Sequence, residues 1–277
     1  RVNDLHYRMG KFNYRNKKYS KTINWFEKVD NGLLIGEDKS DYFFQLGYSY
    51  FVKEEYEKSR ICFYEIKDVK SDYYSAANYF YSHIAYIEGN YQTALNGFEK
   101  IVDDEMFEPV VPYYLTHIYY LKGDYDKIKE TAPALLEKST PKRAPEIARI
   151  IGESYFMTGE YEKAIPYLVK FQEDALNYTS HDKYQLAYAY YKLGDYDKAI
   201  SNFEKVAYKK DKLAQNAYFH LADCYLKTDQ KPKAQMAFGS AAKMSFDKTI
   251  EEESLFNYAK LSFEFVNPTL FFSSSLQ

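Results

Sequence analysis

Apolar and polar positions along this chain follow the spacing of amphipathic helices, and the pattern is itself repeated. The stretch "YYKLGDYDKAISNFEKV" (Tyr190 to Val206) closes one helix on two rings and breaks at Gly194-Asp195. It then opens a second helix whose Ala199 and Phe203 share one face. "YYLKGDYDKIKETAPAL" (Tyr119 to Leu135) and "YFMTGEYEKAIPYLVKF" (Tyr155 to Phe171) carry the same pattern earlier in the chain. The aromatic after the turn serves as a ruler: Tyr19, Tyr56, Tyr91, Tyr125, Tyr161 and Tyr196, in steps of 37, 35, 34, 36 and 35 residues. A seventh copy has Lys231 in that place, 35 residues further on. The pattern predicts seven helix–turn–helix units and, in "SLFNYAKLSFEF" (Ser254 to Phe265), the first helix of an eighth.

Each recurrent residue has a steric reason. Nine residues before the ruler a small residue follows an apolar one: Met9-Gly10, Leu46-Gly47, Tyr81-Ser82, Leu115-Thr116, Ile151-Gly152, Leu186-Ala187 and Leu221-Ala222. After the ruler come Thr22, Ser59, Ala94, Ala164, Ala199 and Ala234, then Phe26, Phe63, Phe98, Leu168, Phe203 and Phe238. The small residues belong where the two helices of a pair cross, and the large one fills the space between pairs. Gly89, Gly123, Gly159 and Gly194 fall where a left-handed residue closes the first helix. The fourth copy departs, with Ile128, Ala132 and Pro133 followed by "STPKRAP" (Ser139 to Pro145). Two readings fit it: a kinked joint between copies, or a shifted second helix that starts near Pro133. The expected division is copies one to four over 1–138, copies five to seven with the lone helix over 139–265, and an irregular tail over 266–277.

These residues resemble the tetratricopeptide (TPR) repeat family over nearly the whole chain, from Asn3 to about Phe265. The family's early Trp and final Pro are absent from every copy. The resemblance implies an all-α fold, an α-solenoid of about seven repeats plus a partial eighth, wound as a right-handed superhelix. More loosely, the chain resembles long TPR arrays that Gram-negative bacteria export. That likeness implies a bacterial source and a place in the periplasm or outer membrane, with the cytoplasm as the alternative.

The paired rings define a second stripe. Tyr190 belongs to the stripe that faces its own partner helix, whereas Tyr191 lies about 100° further round. Tyr184, Tyr188 and Tyr191 share one face at i, i+4 and i+7. The equivalent places hold Tyr7, Lys11 and Tyr14; Phe44, Tyr48 and Phe51; Tyr79, His83 and Tyr86; and Tyr113, His117 and Tyr120. They continue with Arg149, Glu153 and Phe156, then Phe219, Asp223 and Leu226, then Phe256, Lys260 and Phe263. In the family this stripe borders the concave groove. The outer places read mainly as packing. The middle places, rich in Tyr and His, read as a recognition surface, because rings give contact area at small entropic cost. The candidate ligand-binding residues are therefore Tyr48, Tyr79, His83, Tyr86, Tyr113, His117, Tyr120, Arg149, Glu153, Phe156, Tyr184, Tyr188, Tyr191, Phe219 and Asp223. His83 and His117, with no carboxylate or Cys beside them, read as hydrogen-bonding residues rather than metal ligands.

Bulk composition narrows the function. The chain has 277 residues with 32 Tyr and 20 Phe, 19% aromatic, and only 11 Gly and 8 Pro. A net charge of −3 gives no electrostatic case for a nucleic-acid partner, and Lys209-Lys210-Asp211-Lys212 reads as a solvated run. No run of residues is long and apolar enough to suggest a membrane span. Cys62 and Cys224 form no metal motif and read as buried thiols. No phosphate loop, metalloprotease motif or nucleophile elbow is present, so no enzyme, metal or cofactor is expected. The expected function is a non-enzymatic scaffold that binds a peptide or protein segment in an aromatic-lined concave groove. The alternative is a glycan-binding protein that stacks sugars on the same rings, although the longest candidate loop is only Asp30 to Ser40. Self-association through the open last helix is a further expectation.

Overall fold

The computed structural model describes residues 1–266, so the expected tail lies, from Asn267 on, outside the described residues. Seven helix pairs follow one another: α1 (Val2–Arg15) with α2 (Tyr19–Phe26), α3 (Gly36–Val52) with α4 (Tyr56–Tyr64), and α5 (Tyr74–Ile87) with α6 (Tyr91–Glu99). They continue with α7 (Val111–Lys122) and α8 (Tyr125–Glu137), α9 (Ala144–Met157) and α10 (Tyr161–Asp174), α11 (Ser180–Lys192) and α12 (Tyr196–Phe203), and α13 (Lys212–Lys227) and α14 (Lys231–Ala242). The last helix, α15 (Lys248–Val266), is unpaired among the described residues. A 3₁₀ turn at Asn31–Leu33 takes up part of the longest candidate loop. No strand occurs among the described residues.

The ruler residue of every copy is the first residue of its second helix. Two residues earlier the backbone turns left-handed in all seven copies: at Gly89, Gly123, Gly159 and Gly194, and also at Lys17, Glu54 and Asp229, with φ of 56°, 62° and 55°. Three copies therefore accept a strained conformation where four use glycine. α8 begins at Tyr125, in register with the other copies, and continues through Pro133. The shifted-helix reading of the fourth copy is thus ruled out.

The crossing residues are buried as their size requires. Thr22, Ser59, Ala94, Ala164, Ala199 and Ala234 are all fully buried, as are Phe26, Phe63, Phe98 and Phe203. A Cβ on Gly10 would lie 2.3 Å from the Phe26 ring, and one on Gly152 would lie 2.8 Å from Leu168. Close backbone approach at this point is what lets the large residue fill the junction. The fourth copy exchanges the sizes, and its Ile128 and Ala132 are likewise fully buried.

The chain forms two compact units, Arg1–Lys122 and the remainder from Gly123. α7 closes the first and α8 opens the second. In the first unit, one core joins Phe26, Phe63 and Ile66 with Tyr42 and Tyr50. In the second, Phe203, Leu221, Cys224 and Phe238 anchor a core that reaches Leu261 of α15.

The turn and the crossing respond differently to substitution. Glu54→Gly is expected to raise stability by up to about 1 kcal/mol by relieving left-handed strain, whereas Gly194→Val is expected to lower it by about 1–2 kcal/mol. Phe203→Ala is expected to cost about 3–5 kcal/mol. Urea titration of the full chain measures all three, and equal effects at Glu54 and Gly194 would contradict the turn assignment.

Candidate functional site: the inner face of the first helices

Within each unit, every second helix packs on the next first helix, as α2 does on α3 and α12 on α13. First helices of neighbouring copies also touch, α1 with α3, α9 with α11, and α11 with α13, more extensively than any two second helices do. The second stripe lies along these first-helix contacts, on the side that the family resemblance makes the inner face.

The tandem rings divide their work. The first ring of each pair reaches back. Tyr50, Tyr119 and Tyr225 donate from their hydroxyls to Oε1 of Glu27, Glu99 and Glu204, at 2.8, 3.1 and 2.6 Å. Each glutamate follows the buried Phe of the preceding copy. A lysine of the copy's own second helix then covers the ring: Lys58 over Tyr50, Lys198 over Tyr190 and Lys233 over Tyr225, at 5.1, 5.2 and 5.4 Å. These are the Lys of "YDKA" and the Glu of "FEKV", and a sequence reading that stops at apolar spacing misses both.

The second ring reaches forward, onto the middle stripe place of the next copy. Tyr14 meets Tyr48 at 6.0 Å, Phe51 meets His83 at 5.6 Å and Phe156 meets Tyr188 at 5.9 Å. Tyr86 and Nδ1 of His117 are hydrogen-bonded at 2.8 Å, and Tyr191 donates to Oδ2 of Asp223 at 2.8 Å. The ruler tyrosines Tyr19 and Tyr161 complete two of these contacts from the side, at 5.8 and 6.1 Å. The junctions at Tyr48, His117 and Tyr188 are thus rings set edge to face, a favoured geometry for aromatic pairs.

Except for Glu153, which is buried, every candidate residue is half-buried. Tyr48, Tyr79, His83 and Tyr86 form one chain of ring contacts in the first unit, with Tyr79 stacked on His83. Tyr113 and Tyr120 flank His117 on the same face of α7. In the second unit Tyr184, Tyr188 and Tyr191 surround His220, with Phe219 on its other side. The fifth copy differs in kind. Arg149 donates to both oxygens of Glu153 at 3.0 Å and to Glu146 at 2.6 Å, so an ion cluster stands where other copies have rings.

Two features of the inner face were not foreseen. His220 sits one residue off the stripe, among Tyr188, Tyr191 and Phe203, with Nδ1 buried and unpartnered among the described residues. Burial lowers its pKa from 6.5 to about 4, although Asp223 acts the other way. His83 is lowered by the same cause. The second feature is Asp41, only 8% exposed, which accepts from Lys11 at 2.5 Å, Gln45 at 2.5 Å, Tyr73 at 2.6 Å and Tyr7 at 2.9 Å. Burial pushes its carboxyl up, but the bonds from Lys11, Tyr73 and Tyr7 outweigh that and hold it below the usual range. Extending the stripe one turn towards the N-terminus of each first helix reaches Asp41.

Among the described residues no group of His, Cys, Asp or Glu converges as a metal site requires. Cys62 and Cys224 are free and buried, and burial pushes both thiols up to about 12, which leaves them unreactive. No described helix is long and apolar enough to cross a membrane.

Comparison with known proteins agrees with this geometry. A family model described as "Tetratricopeptide repeat" matches residues 184–247. No curated protein matches the chain. Among solved structures the chain is similar to the C-terminal part of a TPR repeat-containing protein from Cytophaga hutchinsonii. That match is 18% identical, covers 89% of this chain and 98% of that one, and has a TM-score of 0.53. It is also similar to YrrB, titled "a TPR protein with an unusual peptide-binding site", at 18% identity over 70% of this chain and 96% of that one, with a TM-score of 0.56. MamA of MSR-1 is 21% identical over 66% of this chain and 99% of that one, with a TM-score of 0.51. Residues 184–247, in copies six and seven, match tetratricopeptide repeats by sequence, and the chain beyond them shares the fold of tetratricopeptide-repeat structures. That fold is generally one of protein–protein interaction.

The buried histidine sets a pH dependence. The folded value of His220 lies below its unfolded value, so its contribution is complete above pH 6.5 and is lost as pH falls from 6.5 towards about 4. Stability is expected to fall over that window by up to roughly 3 kcal/mol from this group. Thermal melts against pH check this. His220→Phe is expected to flatten the curve in part, with His83 supplying the remainder. Identical curves for the two proteins would contradict the assignment.

Proposed function

We propose that this chain is a non-enzymatic interaction scaffold, and that the inner face of its first helices holds a peptide or an extended protein segment. One observation carries the reading: the stripe residues are half-buried and locked against each other across successive copies, leaving their remaining edges in a fixed array. A surface whose rings are already immobilised gives up little further entropy on binding. Phenols, imidazoles and the Asp223 carboxylate supply polar ends to an otherwise apolar strip, which suits the mixed character of a peptide. YrrB, with its peptide-binding site, lends support by fold alone.

A sugar needs an open ring face, and here the faces are largely taken. Tyr79 stacks on Phe107 at 4.9 Å and on His83 at 5.8 Å, Tyr184 on Tyr188 at 6.0 Å and Tyr48 on Phe44 at 6.3 Å. The peptide reading is favoured for that reason. Self-association, if it accompanies this function, has a candidate surface on α15, where Leu255 and Phe256 are 57% and 69% exposed.

Selection of a random peptide library on the full chain tests the reading. Selected peptides are expected to bind at least about ten-fold more weakly to Tyr48→Ala or Tyr188→Ala, the scale of a lost hot spot, with melting temperature recorded to separate contact from folding. Failure to select any peptide, with saturable glycan binding lost in Tyr184→Ala plus Tyr188→Ala, would replace this reading with the sugar-binding one.

A further inference from the structure

The first unit carries a polar cleft at one end of its inner face that the aromatic stripe does not explain. It encloses about 460 Å³ between α1, the start of α3 and the residues just before α5. Its floor is the Asp41 cluster. Both oxygens of Asp41 are engaged by Lys11, Gln45 and the hydroxyls of Tyr7 and Tyr73, so the Lys11 charge is spent inside the fold. What remains in the lining is an excess of negative charge: Glu37, Asp38 and Asp72 against Arg15. The single Tyr7 O–H is shared: besides Oδ2 of Asp41 at 2.9 Å it lies 3.0 Å from Oδ1 of Asp38 and 3.2 Å from the Asp38 carbonyl oxygen, so the Asp38 carboxylate keeps acceptor capacity for a guest.

A second, independent observation gives the cleft a preference for donors. Gln45, which lines it, is only 6% exposed. Its amide nitrogen is committed to Asp41, and its Oε1 has no hydrogen-bond partner among the described residues. Buried acceptors are rarely left without a donor. An N–H entering the cleft would complete it, and the surrounding carboxylates select a donor that is also positively charged. The walls include the rings of Tyr14 and Tyr73. A guanidinium meets all three conditions: it is planar, presents five donors, keeps its charge and lies well on aromatic faces.

We propose that this cleft takes the arginine side chain of a bound peptide segment, donating to Oε1 of Gln45 and to the Asp38 carboxylate, with Glu37 and Asp72 attracting the charge at the rim. The inference rests on the peptide reading of the inner face and names one residue that the peptide must carry. Lysine, with a compact ammonium and no plane, fits less well.

Amide correlation spectra of the full chain, titrated with Ac-Gly-Gly-Arg-Gly-Gly-amide and its lysine and citrulline counterparts, test this. The arginine peptide is expected to shift the Gln45 side-chain amide and the backbone signals of Asp38 and Asp72. Citrulline, which keeps the shape but not the charge, is expected to bind at least ten-fold more weakly. Glu37→Gln with Asp72→Asn, both on the exposed rim, is expected to weaken arginine binding severalfold and flatten its salt dependence at an unchanged melting temperature. Equal binding of arginine and citrulline peptides, or shifts confined to residues outside the cleft, would overturn the assignment. Library peptides that need Tyr48 or Tyr188 whatever their arginine content would overturn it while leaving the groove reading intact, and a chain that binds no peptide at all would remove both.

Discussion

The close crossing of the two helices of a copy, in the copies that lie within one unit, is the constraint on which the rest of the structure depends. Gly10, Gly47 and Gly152 leave no room for a side chain against Phe26, Cys62 and Leu168. On the facing helix a small residue lies fully buried four positions before the large one. This contact fixes how each first helix is rotated about its axis. Once that rotation is set, a residue one place further along the helix must point about 100° away, and the two adjacent rings cannot serve the same surface.

That separation explains why the chain writes two rings side by side. The first ring meets a lysine of its own copy at Tyr50, Tyr155, Tyr190 and Tyr225, and a glutamate of the copy before at Tyr50, Tyr119 and Tyr225. The other lies on the middle stripe residue of the copy after. The hydroxyls and ring edges thus bind successive copies in both directions, and the inner face is assembled from contacts that also hold the repeats in line. In the fifth copy an ion cluster within α9 itself, where Arg149 joins Glu146 and Glu153, takes the place of rings. On the proposed reading, binding surface and scaffold share the same atoms, so an inner-face substitution affects both and needs a folding control.

Much of this was readable in the sequence because it is steric and local. The ruler residues, the small crossing residues and the large residues four places later recur at fixed spacing, and each falls where that spacing puts it. The left-handed turn was readable at four glycines, but not at Lys17, Glu54 and Asp229, because nothing in those residue types announces a positive φ. That the stripe residues share one helix face followed from the helix period, whereas a place on the concave side was what the family resemblance implied. Partners did not: which copy a ring would touch depends on the stagger between repeats, which no single repeat encodes. Asp41 and His220 escaped for a related reason. An aspartate near a helix start reads as a surface residue, and a lone histidine off the stripe reads as ordinary, until four donors or a set of rings converge on it from separate copies.

On the proposed reading a guest lies on the inner face of the first helices rather than on the outer second helices. The most direct measurement is to equip a library-selected peptide with a photo-reactive benzophenone, cross-link it to the full chain and locate the attached residues by mass spectrometry. Attachment at first-helix positions around Tyr48, Tyr86, Tyr188 and Asp223 is the predicted result. Attachment mainly along the outer surfaces of the second helices, such as α4 and α12, would contradict it.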